Sequence, residues 1–108
     1  GIIRYSIWKG IQEYESKDYV NTIKHLERAT SLHLKQIGLF HIYLSESYFN
    51  TGDIYKSVEH AERAYQINPD YESTKKLIIF LQSTSQVKKD IIISKKLNDL
   101  LNNPKLAD

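Results

Sequence analysis

Apolar side chains recur along this chain at helical rather than strand spacing. Leu39, Ile42, Tyr43 and Phe49 form one stripe at steps of three, four and seven, and the pattern stops at Thr51-Gly52. Gly52 is suited to the left-handed conformation that ends a helix, and Asp53 to capping the next one through its first-turn amides. Ile54, Val58, Ala61, Ala64 and Tyr65 then make a second inward stripe, closed by Asn68-Pro69, because proline cannot continue a helix. The preceding segment follows the same plan, with helices predicted near Ile3 to Glu15 and Tyr19 to Leu34. Lys17 stands there in place of Gly52, so that turn is expected to be strained or slightly rearranged. After Pro69, helices are predicted near Glu72 to Ser83 and Val87 to Leu101, carried by Leu77, Ile78, Leu81, Ile91, Ile92, Leu97, Leu100 and Leu101.

The two hairpin patterns are copies. His25-Leu26-Glu27-Arg28-Ala29 returns 35 residues later as His60-Ala61-Glu62-Arg63-Ala64. The same offset pairs Ile7 with Ile42, Trp8 with Tyr43, Gly10 with Ser45, Tyr14 with Phe49, Asp18 with Asp53 and Thr22 with Ser57, and a further step takes Pro69 to Pro104. The third copy is faint. At the offset that aligns Pro104, the places of the small residues hold Phe80, Ile92 and Asp99, so this pair is expected to act as a cap or to pack differently.

Leu44-Ser45, Tyr48, Gly52-Asp53-Ile54, Ser57, Ala61, Ala64 and Pro69 resemble the tetratricopeptide repeat family, and Gly10, Tyr14, Asp18-Tyr19, Thr22 and Ala29 keep the pattern in the first copy. Small residues belong where helix axes approach to about 8–10 Å. The resemblance implies an all-α fold: a right-handed superhelical array of antiparallel helix hairpins, about three in number. It implies a single domain over 1–108, with repeat one at 3–36, repeat two at 38–71 and a degenerate pair at 72–103. It also implies that the first helix of each hairpin lines a concave groove for a peptide or amphipathic helix. By position the groove takes Arg4, Ile7, Trp8, Ile11, Tyr14 and Glu15, then Leu39, Ile42, Tyr43, Glu46, Phe49 and Asn50, then Thr74, Leu77, Ile78 and Leu81. The Lys and Asn clamp by which some members hold a chaperone's terminal carboxylate is replaced by Ile7, Ile11, Tyr43, Thr74 and Ile78, which argues against that specificity.

Composition narrows the chemistry. The chain has 108 residues and no cysteine, so thiolate nucleophiles and disulfides are excluded. No phosphate loop, His-Glu-x-x-His or nucleophile elbow is present, and no enzyme is expected. Of the four histidines, His25 and His60 are one repeat position, His33 is badly phased to share a ligand with His25, and His41 completes the set; neither metal nor cofactor is expected. Net charge is +2, with seven Lys or Arg against four Asp or Glu after residue 70, which does not call for nucleic acid. The apolar runs Leu77 to Leu81 and Ile91 to Ile93 are too short for membrane insertion, and a soluble, cytoplasmic setting is expected. A chain that opens at Gly1 in helical pattern reads as a piece of a larger protein. The partner expected is another protein or a peptide segment, in a scaffold or adaptor role. The alternatives are a peptide-sensing domain of a bacterial transcriptional regulator or phosphatase, and homodimerisation.

Overall fold

The computed structural model describes residues 1–31 and 37–102 and is helical throughout, with no strand among them. Among the described residues seven helices follow in order: α1 (Ile2–Glu15), α2 (Tyr19–Ala29), α3 (Gly38–Asn50), α4 (Ile54–Ile67), α5 (Glu72–Ser83), α6 (Ser85–Lys88) and α7 (Ile91–Asn102). The repeated turn signals act as read. The Asp18 carboxylate accepts from the Asn21 amide at 3.4 Å and Asp53 from the Lys56 amide at 3.0 Å, one cap for each second helix. Lys17 has φ 63 and Gly52 φ 91, so both turns take the left-handed path and only the second has a residue without a Cβ to pay for it. The strained turn expected at Lys17 is present. The predicted end of the second helix at Leu34, together with His33 and Pro104, falls outside the described residues.

Helices α3 and α4 run in opposite directions, since His41 faces His60 while Ser45 faces Ser57. Small residues set their closeness. Ser45 Oγ donates to the Ser57 carbonyl at 2.7 Å, and Ser57 Oγ donates back to the Ser45 carbonyl at 2.8 Å. In the first pair the same place is Gly10, where an added Cβ would sit 2.6 Å from Leu26 Cδ2. One apolar cluster of Leu26, Phe40 and Leu44 joins α2 to α3, with Ile7, Ile11, Ile23, Tyr43 and Tyr48 against it. A larger one holds Ile42, Val58, Ala61, Tyr65, Leu77, Ile78, Leu81, Val87, Ile93, Leu97 and Leu100 and ties α3 and α4 to the C-terminal helices.

The single helix predicted over Val87 to Leu101 is broken in two. Thr84 accepts from the Val87 amide and starts α6, and Asp90 Oδ1 accepts from the amides of Ile92 and Ile93, each at 3.1 Å, and starts α7. The break lets Val87 and Ile93 both turn inward against α5, which a straight helix would forbid.

Candidate partner-binding surface

The structure distributes the sequence-derived groove residues among three different environments. Ile7 and Ile11 are half-buried against the Leu26–Phe40–Leu44 cluster and serve the α1–α2–α3 seam. Tyr14 joins the same seam: its ring stacks on Tyr43 at 3.9 Å and its hydroxyl donates to the Glu46 carboxylate. Burial, and then the bond to that carboxylate, push the Tyr14 phenol well above its ordinary pKa, and burial does the same to Tyr43. Both phenols therefore stay neutral, and the Tyr14 hydroxyl is held as a donor to Glu46.

Several positions need correction. Ile42 is 4% exposed and belongs to the main core, so no partner can reach it. Thr74, Leu77, Ile78 and Leu81 are buried as well, because the apolar stripe of α5 turns toward α4, α6 and α7. Trp8 is 54% exposed on α1, beside Tyr5 and under Lys9 Nζ. Arg4, Glu15 and Asn50 are exposed, and Leu39 is 38% exposed.

What remains of the groove is concentrated between α3 and α5. Glu46, Phe49 and Asn50 face Ser73, Lys76, Phe80 and the edge of Leu77 across an open cleft of about 460 Å³. Phe49 and Phe80 meet edge to face at 5.2 Å, and Phe80 stays 49% exposed. Such an arrangement offers an aromatic floor with a rim carrying a carboxylate, an amide, a hydroxyl and an ammonium. Ser73, Lys76 and Phe80 were missed by reading α5 in the register of the earlier helices. The signal was present: they fall at steps of three and four, beside the 74–77–78–81 stripe, which leaves Phe80 as an aromatic on a polar face.

His41 and His60 form a buried polar seam. His60 Nε2 lies 3.0 Å from the Glu27 carboxylate, and its Nδ1 lies 3.0 Å from His41 Nδ1. Tyr48 stacks on the His60 ring at 5.5 Å. The contact between the two Nδ1 atoms requires a proton on one of them. The bond to His60 holds the Glu27 carboxyl below its ordinary pKa. Among the described residues no group of three metal-ligating side chains gathers, and no helix is long and apolar enough to cross a membrane.

Comparison with known proteins adds one partial likeness. Over 63 residues, 58% of this chain, it is 38% identical to mitochondrial import receptor subunit TOM70 in two strains of Saccharomyces cerevisiae. The chain spans 10% of the length of these curated relatives. No family model matches, and no solved structure matches significantly. The likeness agrees with helical repeats and covers more of the chain than either hairpin alone.

Proposed function

We propose that the chain is a binding module and not a catalyst: a right-handed array of helix hairpins that recognises a peptide segment or amphipathic helix of another protein in the cleft between α3 and α5. The observation that carries this reading is the Phe49–Phe80 pair. A half-exposed phenylalanine propped against a second ring, inside a concavity, is surface that water covers poorly. Covering the exposed part of Phe80 removes about 100 Å² of ring from water, worth about 2 kcal/mol. The polar rim fixes direction: Glu46 is already held by Tyr14, so its carboxylate is pre-positioned to accept from a peptide N–H, and Asn50 and Ser73 supply further pairing groups. Lys76 on the opposite wall selects for an acidic group beside the apolar anchor. The partial likeness to a protein named as an import receptor subunit supports a recognition role, and the part shared is a small fraction of that protein.

Selection of random peptides on the intact chain, with Phe80→Asp as the counter-target, tests the proposal. Peptides with an apolar anchor and a nearby acid should be enriched, and should bind the variant at least about tenfold more weakly. Enrichment that survives counter-selection unchanged would place recognition elsewhere.

A further inference from the structure

Ile91 and Ile92 are 82% and 80% exposed, the most exposed of the large apolar side chains described. They owe this to the break after α6. Asp90 turns the chain and caps α7, whose Ile93, Leu97 and Leu100 then face the core, so the first turn of the helix carries the two preceding isoleucines outward. The rest of the outer face is polar: Lys95, Asn98 and Asn102 follow Ile91, and Lys96 and Asp99 follow Ile92, at steps of three and four, all exposed. The isoleucines are therefore a tip and not the start of an apolar stripe that a further helix would cover. Tyr55 borders the tip, and its hydroxyl donates to Asp90 Oδ2 at 3.4 Å. It is 68% exposed although helices precede and follow α4, and so is Val20, which holds the same position 35 residues earlier. The end of the hairpins at which the second helices begin is thus left uncovered by the pairs packed beside it. Charge around the tip is mainly positive, since residues 85–96 hold four lysines against Asp90. Asp90 is engaged by the amides of Ile92 and Ile93, Lys96 by Glu62 at 3.0 Å, and Lys56 by Glu59 at 3.6 Å. Among the described residues no carboxylate pairs with Lys88, Lys89 or Lys95.

We infer that this corner is a contact for an anionic membrane surface, in which Ile91 and Ile92 enter the boundary between headgroups and acyl chains while Lys88, Lys89 and Lys95 lie over the phosphates. Neither half would hold alone: two side chains bury too little apolar area, and a few ammonium groups near a surface give an attraction that salt screens. Together they make a weak, reversible anchor, in keeping with no described helix being long and apolar enough to cross a membrane. A lipid surface suits the shape better than an acidic protein does. The isoleucines leave the first turn of α7 about 100° apart and form a convex tip. A protein would have to present a fitted hollow, whereas a fluid headgroup layer closes around what enters it. Tyr55, with an apolar ring and a polar hydroxyl beside the tip, is of the type that sits at headgroup level. None of these residues lines the cleft between α3 and α5, so the two readings are independent.

Co-sedimentation of the intact 108-residue chain with mixed phosphatidylserine and phosphatidylcholine vesicles, and with phosphatidylcholine vesicles as control, tests the inference. The chain should partition to the anionic vesicles and leave them as salt rises. Ile91→Asp with Ile92→Asp should lower the partition coefficient at least about tenfold, and Lys88→Glu with Lys89→Glu by as much, while Phe80→Asp leaves it unchanged. These lysines and isoleucines are exposed, so the fold should be kept, which thermal unfolding of each variant checks. Depth is read separately. In a Trp8→Phe background, the emission of Ile92→Trp should shift to the blue on anionic vesicles, because the ring leaves water. Absence of partition to anionic vesicles, equal partition of the isoleucine variant, or an unshifted tryptophan overturns the inference. So does lysine-dependent binding of an oligoglutamate peptide, or self-association lost with Ile91→Asp, where vesicles do not bind, since each puts another occupant on the tip.

Discussion

Replacing Gly10 by alanine sets two effects of known sign against each other. A glycine inside a helix costs about 1 kcal/mol relative to alanine, so the substitution on an isolated α1 would stabilise. In the folded chain the new Cβ would lie 2.6 Å from Leu26 Cδ2 and 2.8 Å from its Cγ, where carbon pairs prefer about 3.5–4.0 Å. Leu26 is fully buried with Phe40 and Leu44, so it cannot swing into solvent and must push its neighbours by about 1 Å. Overpacking of this kind costs about 1–3 kcal/mol. The expected net is a loss of about 1 kcal/mol, seen as a lower urea midpoint with unchanged slope and a melting temperature down by about 4 °C. Leu26→Ala supplies the control. It costs about 2–5 kcal/mol alone, and in its background Gly10→Ala should stabilise, because the clash has gone. If Gly10→Ala stabilises the otherwise unchanged chain by its full helix propensity, the close approach of α1 and α2 at Gly10 is wrong.

Three further outcomes follow from the same contacts. Lys17→Gly should raise stability by up to about 1 kcal/mol, since relief of a left-handed non-glycine residue slightly exceeds the added entropy of the unfolded chain; chemical denaturation measures it, and a loss would contradict the φ of 63. Asp53→Ala should cost about 1 kcal/mol and Asp18→Ala somewhat less, following their 3.0 and 3.4 Å cap bonds. The Glu27 carboxyl has a lowered pKa in the folded state, so its stabilising contribution is present above the unfolded value of about 4.5 and is lost as pH falls through the folded one. Glu27→Gln should therefore flatten the acid limb of stability against pH, and an unchanged limb would mean that the bond to His60 contributes nothing.

The regular part of the fold is legible because each boundary carries its own chemistry. Asp18 and Asp53 cap, Gly52 turns, Pro69 stops, and α5 begins and ends where its pattern does. The C-terminal break was legible in principle, as Asp90 before three isoleucines is a cap signal, but the continuous apolar pattern over 87–101 masked it. The candidate site was less legible. Periodicity marks Ile42 and Phe49 as apolar without saying that one is sealed in the core while the other meets Phe80. Position in the repeat also misplaced α5, whose buried stripe is turned by its contacts with α6 and α7. Position in the repeat likewise does not say that Trp8 is 54% exposed while its equivalent, Tyr43, stacks on Tyr14.

Amide chemical-shift mapping of the intact chain with a peptide selected on it tests the proposed binding cleft most directly. The largest shifts should fall on Glu46, Phe49, Asn50, Ser73, Lys76 and Phe80, and Phe80→Asp should abolish them while the spectrum of the free protein keeps its dispersion. Saturable binding whose shifts leave α3 and α5 untouched would contradict it.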